Sequence, residues 1–334
     1  MLHPPTPSEI AAAARLLRAG RLVAFPTETV YGLGANALSA EAVARIYQVK
    51  RRPPTSPLIV HVDSIEMAKS LVAEWPENAT LLAKKFWPGP LTLVLPKRMA
   101  EKDAGKSIAT NVGQTPLIPD IATAGLPTVA LRMPAHPVAL ALIRAAALPL
   151  AAPSANRFTE LSPTSADHVR RSLGNDVDYI LDGGLCQVGI ESTVLSLVDP
   201  QPVLLRPGGI SRHALESLIG PIRSASDPQA GPHPSPGMHA RHYSPRTSLF
   251  LVSNGKLPEP GEGIYLQHTT PPDREAVTHQ MPPSPEDYAA VLYRELHDAD
   301  ESNHAWIAID LPPATPEWEA VHDRLRRAAS PKPS

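Results

Sequence analysis

Apolar residues along the first two-thirds of the chain recur with two alternating patterns. Positions three and four apart, as in Ala42, Val43, Ile46 and Tyr47, predict helices, whereas short apolar runs bounded by proline or glycine predict strands. Helices are predicted over 9–19, 40–49, 65–73, 77–86, 117–124, 137–147, 165–173 and 211–219. Strands are predicted over 21–25, 57–62, 91–96, 127–132, 149–152, 178–181, 192–198 and 202–206. Interleaving of this kind predicts an α/β domain over residues 8–215. The proline-rich stretch 216–246 breaks the pattern and reads as a linker. Beyond it, strands over 248–252, 263–266 and 305–309 with helices over 285–296 and 317–328 predict a second, small α/β domain spanning 247–330. The tail from Ser330 to Ser334 is expected to fray.

Composition narrows the class. With 334 residues the chain exceeds a typical single domain, and a hydrophobic fraction of 43% suffices for a buried core. No apolar run approaches the ~18 residues of a membrane span, and Met1-Leu2-His3-Pro4-Pro5 lacks the regions of a signal peptide, so a cytoplasmic protein is expected. Lys and Arg number 31 against 33 Asp and Glu, and a net charge of -2 gives no global attraction for nucleic acid, although a local RNA contact stays open. Cys186 is the only cysteine, which excludes an internal disulfide and a cysteine-based zinc site.

Chemistry concentrates between Phe25 and His61. The strand ending at Phe25 runs into Pro26-Thr27-Glu28-Thr29, where Gly32 and Gly34 flank Leu33 and read as a turn that brings backbone close to a ligand. Ser39 caps the next helix, and Lys50 and Arg52 leave its end ahead of the stiff Pro53-Pro54-Thr55-Ser56-Pro57 segment. That layout can seat a polyphosphate beside a small polar substrate.

These residues, with Ser154-Ala155-Asn156 downstream, resemble the YrdC/Sua5 family of threonylcarbamoyl-AMP synthases. The family pairs Lys-x-Arg with a distant Ser-x-Asn, met here by Lys50/Arg52 and Ser154/Asn156. Phe86 to Thr92, Thr128 to Pro134, Gly189 to Val194 and Leu205 to Gly208 add further matches. Ser235 to Met238 and Arg241 to Pro245 resemble the linker of the two-domain Sua5 type. The resemblance implies a YrdC-like twisted mixed sheet with flanking helices, joined to a small Rossmann-like α/β C-terminal Sua5 domain. Two departures stand out: the family usually has Gly and Asn where this chain has Arg51 and Ser56. Arg51 either contacts phosphate or points to solvent.

The implied reaction is a nucleotidyl transfer. L-Threonine takes up bicarbonate or CO2 on its amine, and the carbamate attacks the α-phosphorus of ATP to give threonylcarbamoyl-AMP and pyrophosphate. The nucleophile comes from the substrate, so no Ser-His-Asp or Cys-His set is expected; cations, carboxylate donors and exclusion of water are. Resemblance places threonine at Thr29, His61, Arg132, Ser154 and Ser192, with Arg132 as the two-pronged carboxylate clamp. It places ATP at Arg52, Ser56, Thr128, Asn156, Thr164, Arg206 and Tyr243, with Lys50 and Arg52 carrying the transition-state charge and Mg2+ accompanying ATP. Tyr243 lies in the linker and is expected to act as part of a lid, or else to pack on either domain. The product would pass to the tRNA threonylcarbamoyltransferase machinery that modifies adenosine 37 of ANN-decoding tRNAs. Two other readings remain: a YrdC-like carbamoyl-adenylate transferase, and a non-catalytic RNA-binding or ribosome-assembly module.

Overall fold

Alternate residues of the run from Leu22 to Phe25 enter two different hydrophobic clusters. Leu22 and Ala24 pack with Leu33, Val43, Ile46, Val60 and Leu131, whereas Val23 and Phe25 pack with Leu17, Val138, Leu142 and Ile143. Successive strand side chains point to opposite faces, so a strand buried on both sides has no polar alternation. The computed structural model describes residues 4–99, 117–225, 242–259 and 261–329.

The N-terminal unit runs α1 (Pro7–Arg18), β1 (Val23–Phe25), β2 (Gly32–Asn36), α2 (Ala40–Lys50), β3 (Ile59–His61), α3 (Ile65–Ser70), α4 (Glu77–Phe86) and β4 (Leu91–Pro96). It continues α5 (Asp120–Thr123), β5 (Thr128–Arg132), α6 (Pro137–Ala146), β6 (Leu150–Ala151), α7 (Ala166–Leu173), β7 (Tyr179–Ile180), β8 (Thr193–Ser196), β9 (Val203–Arg206), α8 (Arg212–Ile219) and β10 (Arg223–Ser224). Side-chain oxygens of Thr6, Ser39, Ser64, Ser165 and Ser211 accept from backbone N–H groups in the first turns of α1, α2, α3, α7 and α8. The strands form one mixed ten-stranded sheet in the order β10-β9-β8-β4-β5-β3-β6-β2-β1-β7. Helices α1 and α6 cover one face beside β1, while α2 and α4 bury Ile46 and Leu82 in the cluster on the other.

Strand β2 corrects the expectation of a glycine turn at Gly32 and Gly34. Both glycines pair antiparallel with β1, Phe25 opposite Gly32 and Val23 opposite Gly34. A Cβ on Gly34 would stand 2.7 Å from the Phe25 ring, so glycine here makes room for an aromatic side chain rather than bending the backbone.

The C-terminal unit holds β11 (Ser248–Val252), β12 (Gly263–Gln267), β13 (Val277–Gln280), α9 (Pro285–Glu301), β14 (Trp306–Asp310) and α10 (Glu319–Ala328). Its four strands are all parallel in the order β11-β14-β12-β13. Its core is shared with the first unit: Ile264, Tyr288, Leu292, Ile307 and Leu325 pack with Val30, Leu161 and Ile190, and with Tyr243 from the connecting segment. Gly189, at φ 75°, lets the chain approach α9 so closely that a Cβ would lie 2.3 Å from the Ala289 carbonyl oxygen. Among the described residues no helix is long and apolar enough to cross a membrane.

Candidate active site

Strand register gathers distant residues onto one patch of the sheet. Ile59 and His61 of β3 lie beside Ala130 and Arg132 of β5; Val94 of β4 faces Ala130; Thr92 faces Val194 of β8, which pairs with Arg206 of β9. Because alternate strand residues share a face, the apolar Ile59, Val94, Ala130 and Val194 form a small cluster. The polar residues in step with them, His61, Arg132 and Arg206, open onto a pocket of about 530 Å3, counting its mouth. Thr27 and Thr29 after β1, Ser154 after β6, Ser192 before β8, Arg52 after α2, and His242 and Tyr243 from the connecting segment complete the wall.

All five residues expected to hold threonine line this pocket. Arg132 is buried; its Nη1 donates to Thr29 Oγ1 at 2.9 Å and its Nε to the Gly89 carbonyl at 3.3 Å. Its Nη2 lies 2.8 Å from Glu28 Oε1, an ion pair whose alignment leaves both atoms without a hydrogen bond. Thr29 Oγ1 is 2.8 Å from Thr27 Oγ1, which donates to the Val30 carbonyl, so the arginine's immediate support is a closed relay of hydroxyls. Ser192 is held by Arg206, whose Nη2 donates to its carbonyl at 2.9 Å and its Oγ at 3.1 Å, and by Thr92 Oγ1 at 2.8 Å. Burial and the adjacent Arg132 push His61 down to about 3, so the ring is neutral, and its Nδ1 is buried without a hydrogen-bond partner.

The residues expected to hold ATP divide. Arg52, Arg206 and Tyr243 line the pocket. Ser56 lies behind Arg52: its Oγ bonds Nη2, its carbonyl accepts from Nε at 3.3 Å, and the Pro57 carbonyl accepts from Nη2 at 3.0 Å. Burial lowers the Arg52 guanidinium to about 10, which leaves it charged at neutral pH. Asn156 is buried and caps its own loop, its Nδ2 donating to the carbonyls of Arg157 and Glu160. Thr128, at the start of β5 opposite Pro96, and Thr164, whose carbonyl accepts from Cys186 N, are not in the pocket wall.

Lys50 departs from the expectation of a charge standing past a helix end. It is the last residue of α2 and is buried, with Nζ donating to the carbonyls of Ser154 at 2.6 Å and Asn156 at 2.5 Å. Burial, then Arg52, holds the ammonium well below the ordinary lysine range. The geometry makes Lys50 the anchor of the Ser154–Asn156 loop, with Arg52 reaching the cavity. Arg51 has the left-handed conformation at φ 52° and its side chain is exposed, so it points to solvent. That backbone geometry explains why glycine suits this position.

Sequence reasoning passed over two carboxylates. Glu28 faces Arg132, and Glu191 lines the pocket with its Oε1 accepting from Ser162 at 2.5 Å and its Oε2 from Tyr293 at 3.0 Å and Arg324 at 2.7 Å. Burial raises the Glu191 carboxyl, but Arg324 and Arg206 outweigh it, so the group stays below its ordinary value and ionised. The signal available was a charged residue inside each apolar, hydroxyl-flanked motif. Tyr243 is buried at φ 61°, and its hydroxyl has no hydrogen-bond partner. The matching stretch Ser235 to Arg241 lies outside the described residues. Burial pushes the Cys186 thiol up, which disfavours its nucleophilic form. Among the described residues no group of three or more His, Cys, Asp and Glu is placed to hold a metal ion.

Comparison with known proteins finds two family models. One, described as "Telomere recombination" and spanning Sua5, YciO and YrdC, matches residues 15–208; the other, "Threonylcarbamoyl-AMP synthase, C-terminal domain", matches 210–330. The chain is similar to the threonylcarbamoyl-AMP synthase of Bacillus subtilis, at 42% identity over 96% of this chain and 93% of that one. It is also similar to that of Pyrococcus abyssi, at 40% identity over 96% and 94%. A crystal structure of P. abyssi Sua5 complexed with L-threonine superposes with a TM-score of 0.85 at 37% identity, covering 98% of this chain and 96% of that one.

Proposed function

The chain belongs to the Sua5/YrdC family in its two-unit Sua5 form, and from that premise we propose that it makes threonylcarbamoyl-AMP and pyrophosphate from L-threonine, bicarbonate or CO2, and ATP. The observation that carries this reading is the pocket around Arg132. One wall offers a buried guanidinium whose Nη2 has no hydrogen bond, with Thr29, His61, Ser154 and Ser192 around it, and another offers the cations Arg52 and Arg206. An amino acid and a triphosphate fit that division of charge.

Arg132 clamps the threonine carboxylate, because a guanidinium presents parallel donors that a lysine cannot. A neutral His61 adds no competing charge and leaves the amine free to bond carbon dioxide with loss of a proton. The carbamate oxygen then displaces pyrophosphate from the α-phosphorus, and Arg52 and Arg206 stabilise the charge that develops; one preorganised donor aimed at developing charge is worth about 3 kcal/mol in acyl transfer, which sets the scale. Glu191 is already saturated by Arg324, Tyr293 and Ser162 and is not free to ligate a metal, so Mg2+ would come with the ATP substrate and supply charge neutralisation at the phosphates. Tyr243 covers the mouth and helps keep water from the labile carbamate and anhydride. The product then passes to the tRNA-modifying machinery that acts on adenosine 37.

Relatives named as this synthase match along nearly their full length, which favours the reading over a carbamoyl-adenylate transferase or a non-catalytic RNA-binding module. The deciding assay is pyrophosphate release with threonine, bicarbonate and ATP. Release is expected only with all three present; its absence would overturn the reading.

A further inference from the structure

Helix α10 belongs to the C-terminal unit, yet its Arg324 bonds Glu191, a residue of the pocket wall. Arg324 is completely buried, and its guanidinium is divided among several tasks. Nε donates to Glu191 Oε2 at 2.7 Å; Nη2 reaches the Pro207 carbonyl at 3.1 Å and the Glu191 carbonyl at 3.4 Å; Nη1 meets Asp323 Oδ2 at 2.6 Å. Glu191 immediately precedes Ser192, and Pro207 immediately follows Arg206. One side chain therefore grips the segment that leads into β8 and the segment that leaves β9, each next to a pocket residue.

The same guanidinium lies 5.2 Å from the centroid of the Tyr243 ring, within cation–π range, and Tyr293 of α9 packs on that ring at 5.7 Å. At the end of α10, the Arg327 carbonyl accepts from the His242 N–H at 3.3 Å and lies 3.4 Å from the Ser244 hydroxyl. On the opposite side, Ser244 N donates to the Thr159 carbonyl of the first unit at 2.9 Å. The segment 242–244 is thus clipped between the two units. The left-handed backbone of Tyr243 is a conformation that a non-glycine residue keeps only when its surroundings impose it.

We propose that Arg324 is a positioning residue for the nucleotide half of the active site. It fixes Arg206 through Pro207 and steadies the Tyr243 ring at the pocket wall, while Ser192 on the threonine side, next to Glu191, keeps its own bond to Thr92. The C-terminal unit is then a structural part of the active site rather than an appendage. This inference rests on the synthase reading for the identity of the nucleotide. The threonine clamp of Arg132, Thr29 and Glu28 is bonded within itself, and Arg324 touches the threonine side only indirectly, at Ser192 through Glu191, so loss of Arg324 acts mainly on ATP.

The test measures binding of a non-hydrolysable ATP analogue and of L-threonine by calorimetry, alongside thermal melts, for Arg324→Met, Arg324→Lys and the double variant Arg324→Met/Glu191→Gln. Arg324→Met is expected to weaken the analogue at least tenfold while threonine affinity changes less than threefold. The double variant removes the unpaired buried carboxylate, so its melt should return toward wild type while the analogue stays weak. Arg324→Lys keeps a cation but loses the fork, and should fall between Arg324→Met and wild type both in its melt and in its loss of analogue affinity. Recovery of analogue affinity in the double variant, or wild-type affinity in any folded variant, would reduce Arg324 to a counter-ion for Glu191 and overturn the proposal. Analogue binding is read without turnover, so absence of pyrophosphate release by the wild type would strike the synthase reading separately.

Discussion

Acidification should unfold this protein over a window set by three buried imidazoles. His168 of α7 and His297 of α9 stack across the junction of the two units, with centroids 3.8 Å apart and planes 26° from parallel. Thr164 N donates to His168 Nδ1, and His297 Nε2 lies 3.2 Å from the Ser162 carbonyl, so each neutral ring has a defined tautomer. Burial is the first cause that lowers His168 to about 3 and His297 to about 4, followed for His168 by the neighbouring imidazole and for His297 against a favourable contact to Ser162. His61 stands at about 3. All three lie below the unfolded value of about 6.5, so the unfolded chain binds more protons between that pH and about 4, and stability falls as pH falls through this window. At pH 5 each ring costs about 2 kcal/mol relative to neutral pH, or about 6 kcal/mol for the three, enough to consume a stability of ~5–15 kcal/mol in large part. Urea midpoints from pH 7 to 4.5 should drop steeply, and His297→Gln, which keeps a donor for Ser162, should flatten the slope by about one proton's worth, ~1.4 kcal/mol per pH unit. An unchanged wild-type midpoint between pH 7 and 5, or identical slopes for the two proteins, would refute the assignment of neutral rings.

Arg132→Lys retains charge but loses the fork, and is expected to weaken threonine binding by about 1.5–3 kcal/mol in calorimetry with little change for an ATP analogue; unchanged threonine affinity would remove Arg132 from the clamp. Lys50→Met strips the donor from two buried carbonyls at about 1–3 kcal/mol each, partly offset by removal of a charge that burial disfavours. A net loss of about 2–4 kcal/mol in urea unfolding is expected, and stability within 0.5 kcal/mol of wild type would end its role as loop anchor. Arg51→Gly relieves a left-handed backbone at an exposed position, so it should raise stability by about 0.5–1 kcal/mol with unaltered pyrophosphate release; a stability loss would show that the side chain makes a contact of its own.

The sequence alone determined a great deal here, because the buried strands are locally unambiguous. Runs such as Leu22 to Phe25 are apolar on both faces, and serine or threonine caps mark several helix starts, so element type follows from neighbours in the chain. The motifs also fixed which residues converge, since Thr29, His61, Arg132, Ser154 and Ser192 do meet in one pocket. Short polar edge strands escaped: β13 reads Val-Thr-His-Gln and β10 is Arg-Ser, patterns that acquire strand character only from a paired neighbour. Gly32 and Gly34 looked like a turn because their reason, the Phe25 ring on the next strand, is a contact across the sheet. Lys50 illustrates the deeper limit. Its place at a helix end is local, but whether its ammonium meets solvent, phosphate or two carbonyls depends on a loop 104 residues further along the chain. The same holds for Glu191, whose partner Arg324 lies 133 residues away in the other unit. Burial and charge pairing depend on the whole chain, so only the tertiary structure could decide that the C-terminal unit pairs with a carboxylate of the pocket wall.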